Sequence, residues 1–387
     1  MPPPTALVLT TLDTKAAEAA FLQERLQEHG VTVTLVDTSL DTDGTVLGGP
    51  EKLRAMDETV ARATALTTEA LAQAQVVIGI GGGTGGEIAL NIMRALPITF
   101  PKVLVTTLPF DPRAAAADTS LILVPTLADI CGLNPTLREI LENVAALTAG
   151  LCASRRSAGA CLRAPTYGIT ALGATDTAVQ SLVAALQARG EESTVFHSNG
   201  YGGGGFARFA RLGAFHTIID MTPHELTRLH VAGAHVPMPD RFSAGAHLPR
   251  IVLPGGLNFI GFGEASLLPE VYRARPHYAH SGFFTHVKLA PDEMARVADA
   301  LVTSLNALTG PVALIVPMGG FSHQDAPGGA IEDRELREIF LDRARDGLRP
   351  GIPVLSVEAH ITSPNVTDAI LEACDRHRST AAAEQKD

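Results

Sequence analysis

Twice along the chain, short β-branched runs alternate with amphipathic helical segments, and this alternation constrains the fold more than any single motif. In the first 150 residues the runs 6–10, 31–36, 76–80, 103–107 and 121–124 read as strands. The segments 14–29, 51–74, 86–96 and 136–150 read as helices. Near-continuous apolar strands separated by helices form parallel sheets covered on both faces. Gly30 stands where a C-cap would close the first helix, and Pro97 and Pro101 bracket the exit from the third. A second series follows, with strands expected at 167–172, 194–197, 217–220, 251–253, 285–289, 312–316 and 353–357. Its helices fit 176–189, 206–212, 223–230, 291–308, 334–346 and 365–376.

A chain of 387 residues exceeds one ordinary core, so two α/β domains with mostly parallel sheets are expected. The small, polar stretch 152–165 carries no periodicity and marks the boundary. The domains are placed at 1–155 and 166–376, with a tail at 377–387 that frays from Ala381. The two halves open alike: Leu7-Val8-Leu9-Thr10-Thr11-Leu12-Asp13-Thr14 and Ile169-Thr170-Ala171-Leu172-Gly173-Ala174-Thr175-Asp176-Thr177 each lead into a helix that ends in glycine. A duplication and two copies of a common βαβ unit explain this equally well.

Hydrophobic residues make up 46% of the chain, yet no run reaches the roughly 18–20 apolar residues needed to span a bilayer. The start, Met1-Pro2-Pro3-Pro4, has neither the basic nor the apolar region of a signal peptide, so a cytoplasmic location is expected. Cys131, Cys152, Cys161 and Cys374 lie far apart and read as reduced thiols, not as a disulfide or zinc framework. A net charge of −11, with only Arg155-Arg156 as a basic pair, opposes nucleic acid as a partner.

The run Gly81-Gly82-Gly83-Thr84-Gly85-Gly86 follows a buried strand and precedes a helical pattern. In such a unit, glycines let the backbone approach a ligand, and the helix start supplies unpaired N–H groups and partial positive charge. The competing reading is a tight turn for helix–strand packing, although six residues with five glycines exceed what a turn needs. Gly81, Gly83 and Gly86 satisfy G-x-G-x-x-G, but no acidic residue follows the next strand, and the loop follows the third strand. A P-loop fails because Glu87 and Ile88 stand where Lys and Ser/Thr are required. The loop reads as a cradle for phosphate or another small anion.

Other strand ends carry polar groups. Asp13, Thr14 and Lys15 follow the first strand, where Asp13 and Thr14 either line a ligand crevice or cap a helix and Lys15 either meets a phosphate or is solvated. Thr106 and Thr107 offer hydroxyls at the end of another strand. A second glycine loop, Ser198-Asn199-Gly200-Tyr201-Gly202-Gly203-Gly204-Gly205, repeats the mechanics of the first and reads as a further ligand contact through Asn199, Gly202 and Gly203 or as a flexible connection. Asn258, in Gly255-Gly256-Leu257-Asn258-Phe259, either holds a ligand or a turn. His323 and Asp325 suit acid–base work, although Asp325 also suits turn formation. Glu358 and His360 form one more strand-end pair. His277 and His280 have ligand-like spacing only on a helix, and no metal site held by protein ligands alone is expected.

These residues together resemble a family, the ATP-binding N-terminal domain of the tomato mosaic virus resistance protein and its bacterial relatives. The resemblance rests on Leu12-Asp13-Thr14-Lys15, the first glycine loop, Met93-Arg94-Ala95-Leu96-Pro97 and Pro101-Lys102. It continues through Asp129-Ile130-Cys131-Gly132-Leu133-Asn134, Val195-Phe196-His197, Gly255 to Phe259 and Asp325-Ala326-Pro327-Gly328. It implies two Rossmann-like three-layer domains, ATP bound with Mg²⁺ by Gly81 to Gly86, and a homodimer. The sequence departs from the family at Thr84, which places the loop's hydroxyl differently, and at Thr106-Thr107-Leu108-Pro109-Phe110-Asp111. Asp13, His323 and Asp325 are the candidates for acid–base or metal roles in a weak ATPase or transferase. Two other readings stand beside it: an enzyme acting on a small carboxylic or phosphorylated metabolite in an inter-domain cleft, and a nucleotide-regulated module with a protein partner.

Overall fold

The computed structural model describes residues 3–384 except 43–44, 110, 112, 114–115, 154–164, 234–237 and 239. The chain divides into two compact units, Met1–Cys161 and Leu162–Asp387. Most of the expected boundary stretch, with Arg155, Arg156 and Cys161, lies outside the described residues, as do Phe110 and the last three residues of the tail.

In the first unit β1 (Thr5–Thr10), β2 (Thr32–Asp37), β3 (Val76–Gly81), β4 (Lys102–Thr106) and β5 (Ile122–Pro125) build one sheet. Its order is β2-β1-β3-β4-β5 and every pairing is parallel. The helices are α1 (Leu12–Glu28), α2 (Gly49–Ala70), α3 (Gly83–Ala95) and α4 (Pro135–Ala153). Successive strand residues point to opposite faces, so Leu7, Leu9, Val77 and Leu104 pack with Ile88, Ile92 and Met93 of α3. Val8, Ile78, Ile80 and Val103 pack on the other side with Leu22 and Leu26 of α1 and Leu137 and Leu141 of α4. Each such side chain, fully buried, contributes about 1.5–3 kcal/mol, which is what a two-sided cover of helices supplies. The buried Lys102 donates to the carbonyls of Pro97, Ile98 and Phe100 at 2.7, 3.0 and 2.9 Å, closing the turn from α3 into β4.

The second unit carries a six-stranded sheet of β6 (Thr166–Ala171), β7 (Ser193–His197), β8 (Phe215–Asp220), β9 (Arg250–Val252), β13 (Val312–Pro317) and β14 (Val354–Val357). Its order is β14-β13-β9-β8-β6-β7, again wholly parallel. Helices α5 (Asp176–Ala188), α6 (Tyr201–Arg211), α7 (Glu225–His230), α8 (Glu270–Arg273), α9 (Pro291–Asn306), α10 (Arg334–Gly347) and α11 (Pro364–Glu384) complete it. Ile169, Ile219, Ile251 and Ile315 pack against Leu182 of α5 and Ile370 of α11. Val252, Leu314 and Val316 pack against Val297 and Leu301 of α9 and Phe340 of α10. Both sheets therefore have helices on both faces, and both place their first two strands in reversed order before the rest run on in sequence.

Three expectations need correction. The strand at 285–289 does not join the parallel series: β12 (Phe284–Lys288) lies in a separate antiparallel sheet between β10 (Phe259–Phe262) and β11 (His277–Ser281). All five residues of β11 are exposed and polar or small, so no apolar run announces it. The stretch 202–205 is not loop, because α6 starts at Tyr201 and the glycines form its first turn. The tail from 377 is helical as far as Glu384, within α11. Among the described residues no helix is long and apolar enough to cross a membrane.

Candidate functional site

In an open parallel sheet, ligands sit outside the carboxyl ends of the strands where the strand order reverses. In the first unit that point lies between β1 and β3. The junction of β1 with α1 supplies Thr11 to Lys15, and the junction of β3 with α3 supplies Gly81 to Gly86. They meet there: a Cβ on Gly85 would stand 3.4 Å from Cγ2 of Thr11. β4 ends beside them, with the Thr107 hydroxyl 3.7 Å from a Cβ placed on Gly82.

The five glycines divide into two kinds. Gly81 and Gly86 are needed for packing: a Cβ on Gly81 would meet the Gly86 nitrogen at 2.3 Å, and one on Gly86 would meet Thr106 Oγ1 at 3.0 Å. Gly82, Gly83 and Gly85 have neither a clash under 3.4 Å nor a positive φ to explain them. Gly82 caps α3 without a side-chain acceptor, and Gly83, Thr84 and Gly85 form its first turn, where N–H groups have no intrahelical partner. The backbone is bare where the helix dipole is positive. Next to it Leu108 is held at φ +53°, a left-handed conformation that L side chains rarely adopt.

A carboxylate not singled out from sequence builds the β1 loop. Asp37, at the end of β2, accepts from the Leu12 N–H at 3.1 Å and from the Ser39 hydroxyl and N–H at 2.6 and 2.9 Å. Burial opposes its charge, but these hydrogen bonds outweigh burial and hold its carboxyl below the ordinary range. Ser39 in turn accepts from the Asp13 N–H, and Thr14 Oγ1 lies 2.8 Å from Thr11 Oγ1. The side chains of Asp13 and Thr14 are exposed, and the Lys15 ammonium donates to the carbonyl of Ile130. An Asp two residues before a serine, at the end of the edge strand, is an ordinary sequence feature; only the fold turns it toward α1.

In the second unit the equivalent reversal lies between β6 and β8, and it is closed. Thr175 and Thr222 hydroxyls stand 2.8 Å apart across it, and Thr170 bonds both the Asp220 carboxylate and the Thr222 N–H. Asp220 also takes two bonds from the buried Arg241, at 2.8 and 2.9 Å, which hold its carboxyl down against burial. The second glycine run follows the edge strand β7 and not the reversal. A Cβ on Gly202 would stand 2.0 Å from the His197 carbonyl oxygen, and one on Gly203 2.9 Å from Glu225 Oε1, so packing explains both. Asn199, one residue before the N-cap Gly200, accepts from the Gly202 N–H at 3.0 Å.

The remaining candidates sit after β9, β13 and β14. Asn258 is buried and donates to Ser322 Oγ at 3.0 Å. Asp325 accepts from the Phe321 and Asp333 N–H groups at 2.8 and 3.1 Å and from Arg337 at 2.6 Å, so both its oxygens are engaged in the fold. Burial pushes its carboxyl up to about 6 against those donors. His323 is exposed on the same 3-10 turn, and His360 ties the loops together through the Ser322 carbonyl and the Thr362 hydroxyl.

The least expected residue is His224. Its Nδ1 lies 2.7 Å from the Gly256 carbonyl, which can only accept, so Nδ1 carries the hydrogen and Nε2 presents a lone pair. Nε2 is buried and without a partner. Burial and the nearby Arg228 push its pKa to about 3, so the ring is neutral. His224, Phe259, His286 and His280 stack in series at centroid distances of 4.5, 3.9 and 5.0 Å. His277 and His280 lie on strand β11, so their helical ligand spacing does not arise, and no metal-holding cluster of His, Cys, Asp and Glu occurs among the described residues. Arg228 and His286 carry no sequence motif at all.

The chain is similar to known proteins along nearly its whole length. A UPF0261 protein of Rhizobium meliloti is 32% identical over 95% of this chain and 97% of its own length. One of Mesorhizobium japonicum is 31% identical over 95% of this chain and 98% of its own. The ToMV resistance protein Tm-1(GCR237) of Solanum lycopersicum is 29% identical over 67% of this chain and 35% of that protein. Residues 42–157 match the N-terminal domain of the Uncharacterised protein family (UPF0261), and residues 164–377 match its C-terminal domain. The chain belongs to the UPF0261 family.

Proposed function

We propose that the first unit binds a phosphorylated small molecule, with ATP as the leading candidate, at the reversal point between β1 and β3. The observation that carries this reading is the set of three glycines, Gly82, Gly83 and Gly85, that the fold does not require. At a helix start they leave first-turn N–H groups open to an anion, and such charge-assisted hydrogen bonds are the strong kind. The hydroxyls of Thr11, Thr14 and Thr107 surround the same strand ends and suit phosphate oxygens or a ribose. Mg²⁺ would arrive with the phosphates and keep most of its water, since no acidic cluster faces the turn among the described residues. Lys15, whose ammonium is engaged with the Ile130 carbonyl, contributes by ordering the loop.

Calorimetry with ATP, ADP and a sugar phosphate, each with and without Mg²⁺, tests the reading. At least one should bind more tightly than about 1 mM, near −4 kcal/mol. The decisive variant is Gly83→Val. A Cβ there meets nothing nearer than Pro109 Cγ at 3.9 Å, so the fold should survive while the anion is excluded. Unchanged affinity in a folded Gly83→Val protein would overturn the proposal.

A further inference from the structure

We propose that β11 is a strap that lifts from the carboxyl edge of the second unit's parallel sheet while the rest of that unit stays folded, and that His280 and His286 hold it shut.

The sheet β10-β12-β11 rests on that edge through its first two strands. Phe259 of β10 packs with Leu172 and Ala174 after β6 and with Ile331 after β13. Ile260 of β10 and Leu289, just past β12, enter the core that includes Leu301 of α9. β11 adds nothing of this kind. Every residue from Pro276 to Phe284 is exposed, the rings of Tyr278, Phe283 and Phe284 included. A strand that buries no apolar side chain is held by little beyond its ladder, and such segments open at a fraction of the global unfolding free energy. The ladder is short and irregular. Tyr278 faces His286 and Ala279 faces Thr285, but the register shifts before Ser281 meets Phe284.

The remaining tie is histidine. His280, at the register shift, stacks on His286 at 5.0 Å with the rings 11° from parallel. Its Nε2 would stand 3.0 Å from a Cβ on Gly173, so the ring lies on the backbone of the turn after β6. His286 is buried, stacks on Phe259 at 3.9 Å, and its Nδ1 has no hydrogen-bond partner. The groups that act on it are His280 and Tyr278 from β11, His224 and Arg228 from α7, and the Gln324 amide from the 3-10 turn after β13. Lys288, two residues on along β12, is paired with Asp333. None of the groups acting on His286 is a carboxylate. A proton on His286 therefore has no counter-charge while the strap is shut, and lifting β11 lets water reach it. Burial, His280 and Arg228 push its pKa down to about 4, whereas an imidazole in water titrates near 6.5. The shut form binds the proton more weakly, so it is favoured above about pH 6.5 and loses ground as pH falls toward 4.

Hydrogen exchange of the full chain, read by mass spectrometry and corrected for the intrinsic effect of pH on exchange, tests the strap. Peptides covering 277–286 should report openings about ten- to twentyfold more populated at pH 5 than at pH 7. These openings should respond weakly to urea, the mark of a local event, while β8 and β13 exchange only with global unfolding. His286→Phe keeps a ring on Phe259 without a titrating nitrogen and should abolish the pH response. His280→Ala, at an exposed position, should raise exchange in the same peptides at pH 7 at least about threefold and leave β8 and β13 unchanged. The chain has no tryptophan, so Tyr278→Trp gives a single reporter whose quenching by acrylamide should rise from pH 7 to 5. Exchange of 277–286 that tracks β8 and β13, or a pH response that survives in folded His286→Phe, would overturn the strap. If His286→Phe does not fold, unchanged exchange in His280→Ala overturns it instead. None of these results bears on nucleotide binding in the first unit.

Discussion

The two glycine runs look interchangeable in sequence and do different things in the fold. Gly81 to Gly86 run from the end of β3 into α3, at the point where the sheet order reverses, and three of these glycines have no packing reason to be glycine. Gly202 and Gly203 follow the edge strand β7, and both are demanded by neighbours closer than 3.0 Å. The reversal point of the second unit, by contrast, is filled by the Thr175–Thr222 contact and the Thr170–Asp220–Arg241 network. One strand order thus yields one reversal point with glycines that packing does not explain and one filled by side-chain hydrogen bonds. A glycine is informative about a ligand only after packing and backbone conformation have been accounted for.

Substitution breaks this comparison most directly. Gly202→Ala should destabilise the second unit by roughly 3 kcal/mol or more, because its Cβ meets backbone at 2.0 Å and nothing flexible can yield. Urea unfolding should show it, and a loss under about 1 kcal/mol would reassign the run as a ligand loop. Arg241→Met should lose about 3–5 kcal/mol by stranding Asp220 and Glu225 without their donor, read as a lowered thermal midpoint.

Acid should act mainly on the second unit. Burial and neighbouring positive charge lower His224 to about 3 and His286 to about 4. Their folded values lie below the unfolded value, so their contribution is present above about pH 6.5 and is lost as pH falls toward 4. Each should remove about 2 kcal/mol between pH 7 and 5. Asp325, raised to about 6, acts in the opposite sense: its folded form takes up a proton first, which offsets about 1 kcal/mol of the loss. Urea midpoints at the two pH values measure the balance, and His286→Phe should flatten the slope while keeping the stack on Phe259. The smallest expected effect is Gly83→Ala, a gain of about 0.5 kcal/mol from helix propensity. That gain, combined with weaker nucleotide binding, would show a glycine kept for a ligand at the expense of stability.

Much of the architecture was legible because it follows from short-range pattern. The apolar runs ending at Thr10, Ile80 and Val316 and the helices between them announce parallel sheets, since only a strand buried on both faces is apolar throughout. β11 escaped because all its residues are exposed, and α6 started early because glycine-rich sequence reads as loop until packing makes it helix. The glycine turn was legible as a motif. The approach of His224 and Arg228, at and just after the start of α7, to β10 was not, because only the fold joins those two segments.

The sequence by itself determined the two α/β units and their parallel sheets, because alternation and periodicity are written residue by residue. It also placed a bare helix start after β3. Only the tertiary structure decided which glycines were committed to packing, which carboxylates were spent on the fold, and which buried nitrogens, His224 Nε2 among them, were left without a partner. Those outcomes depend on distances between strand ends far apart in the chain, and such distances exist only once the sheet has set its strand order.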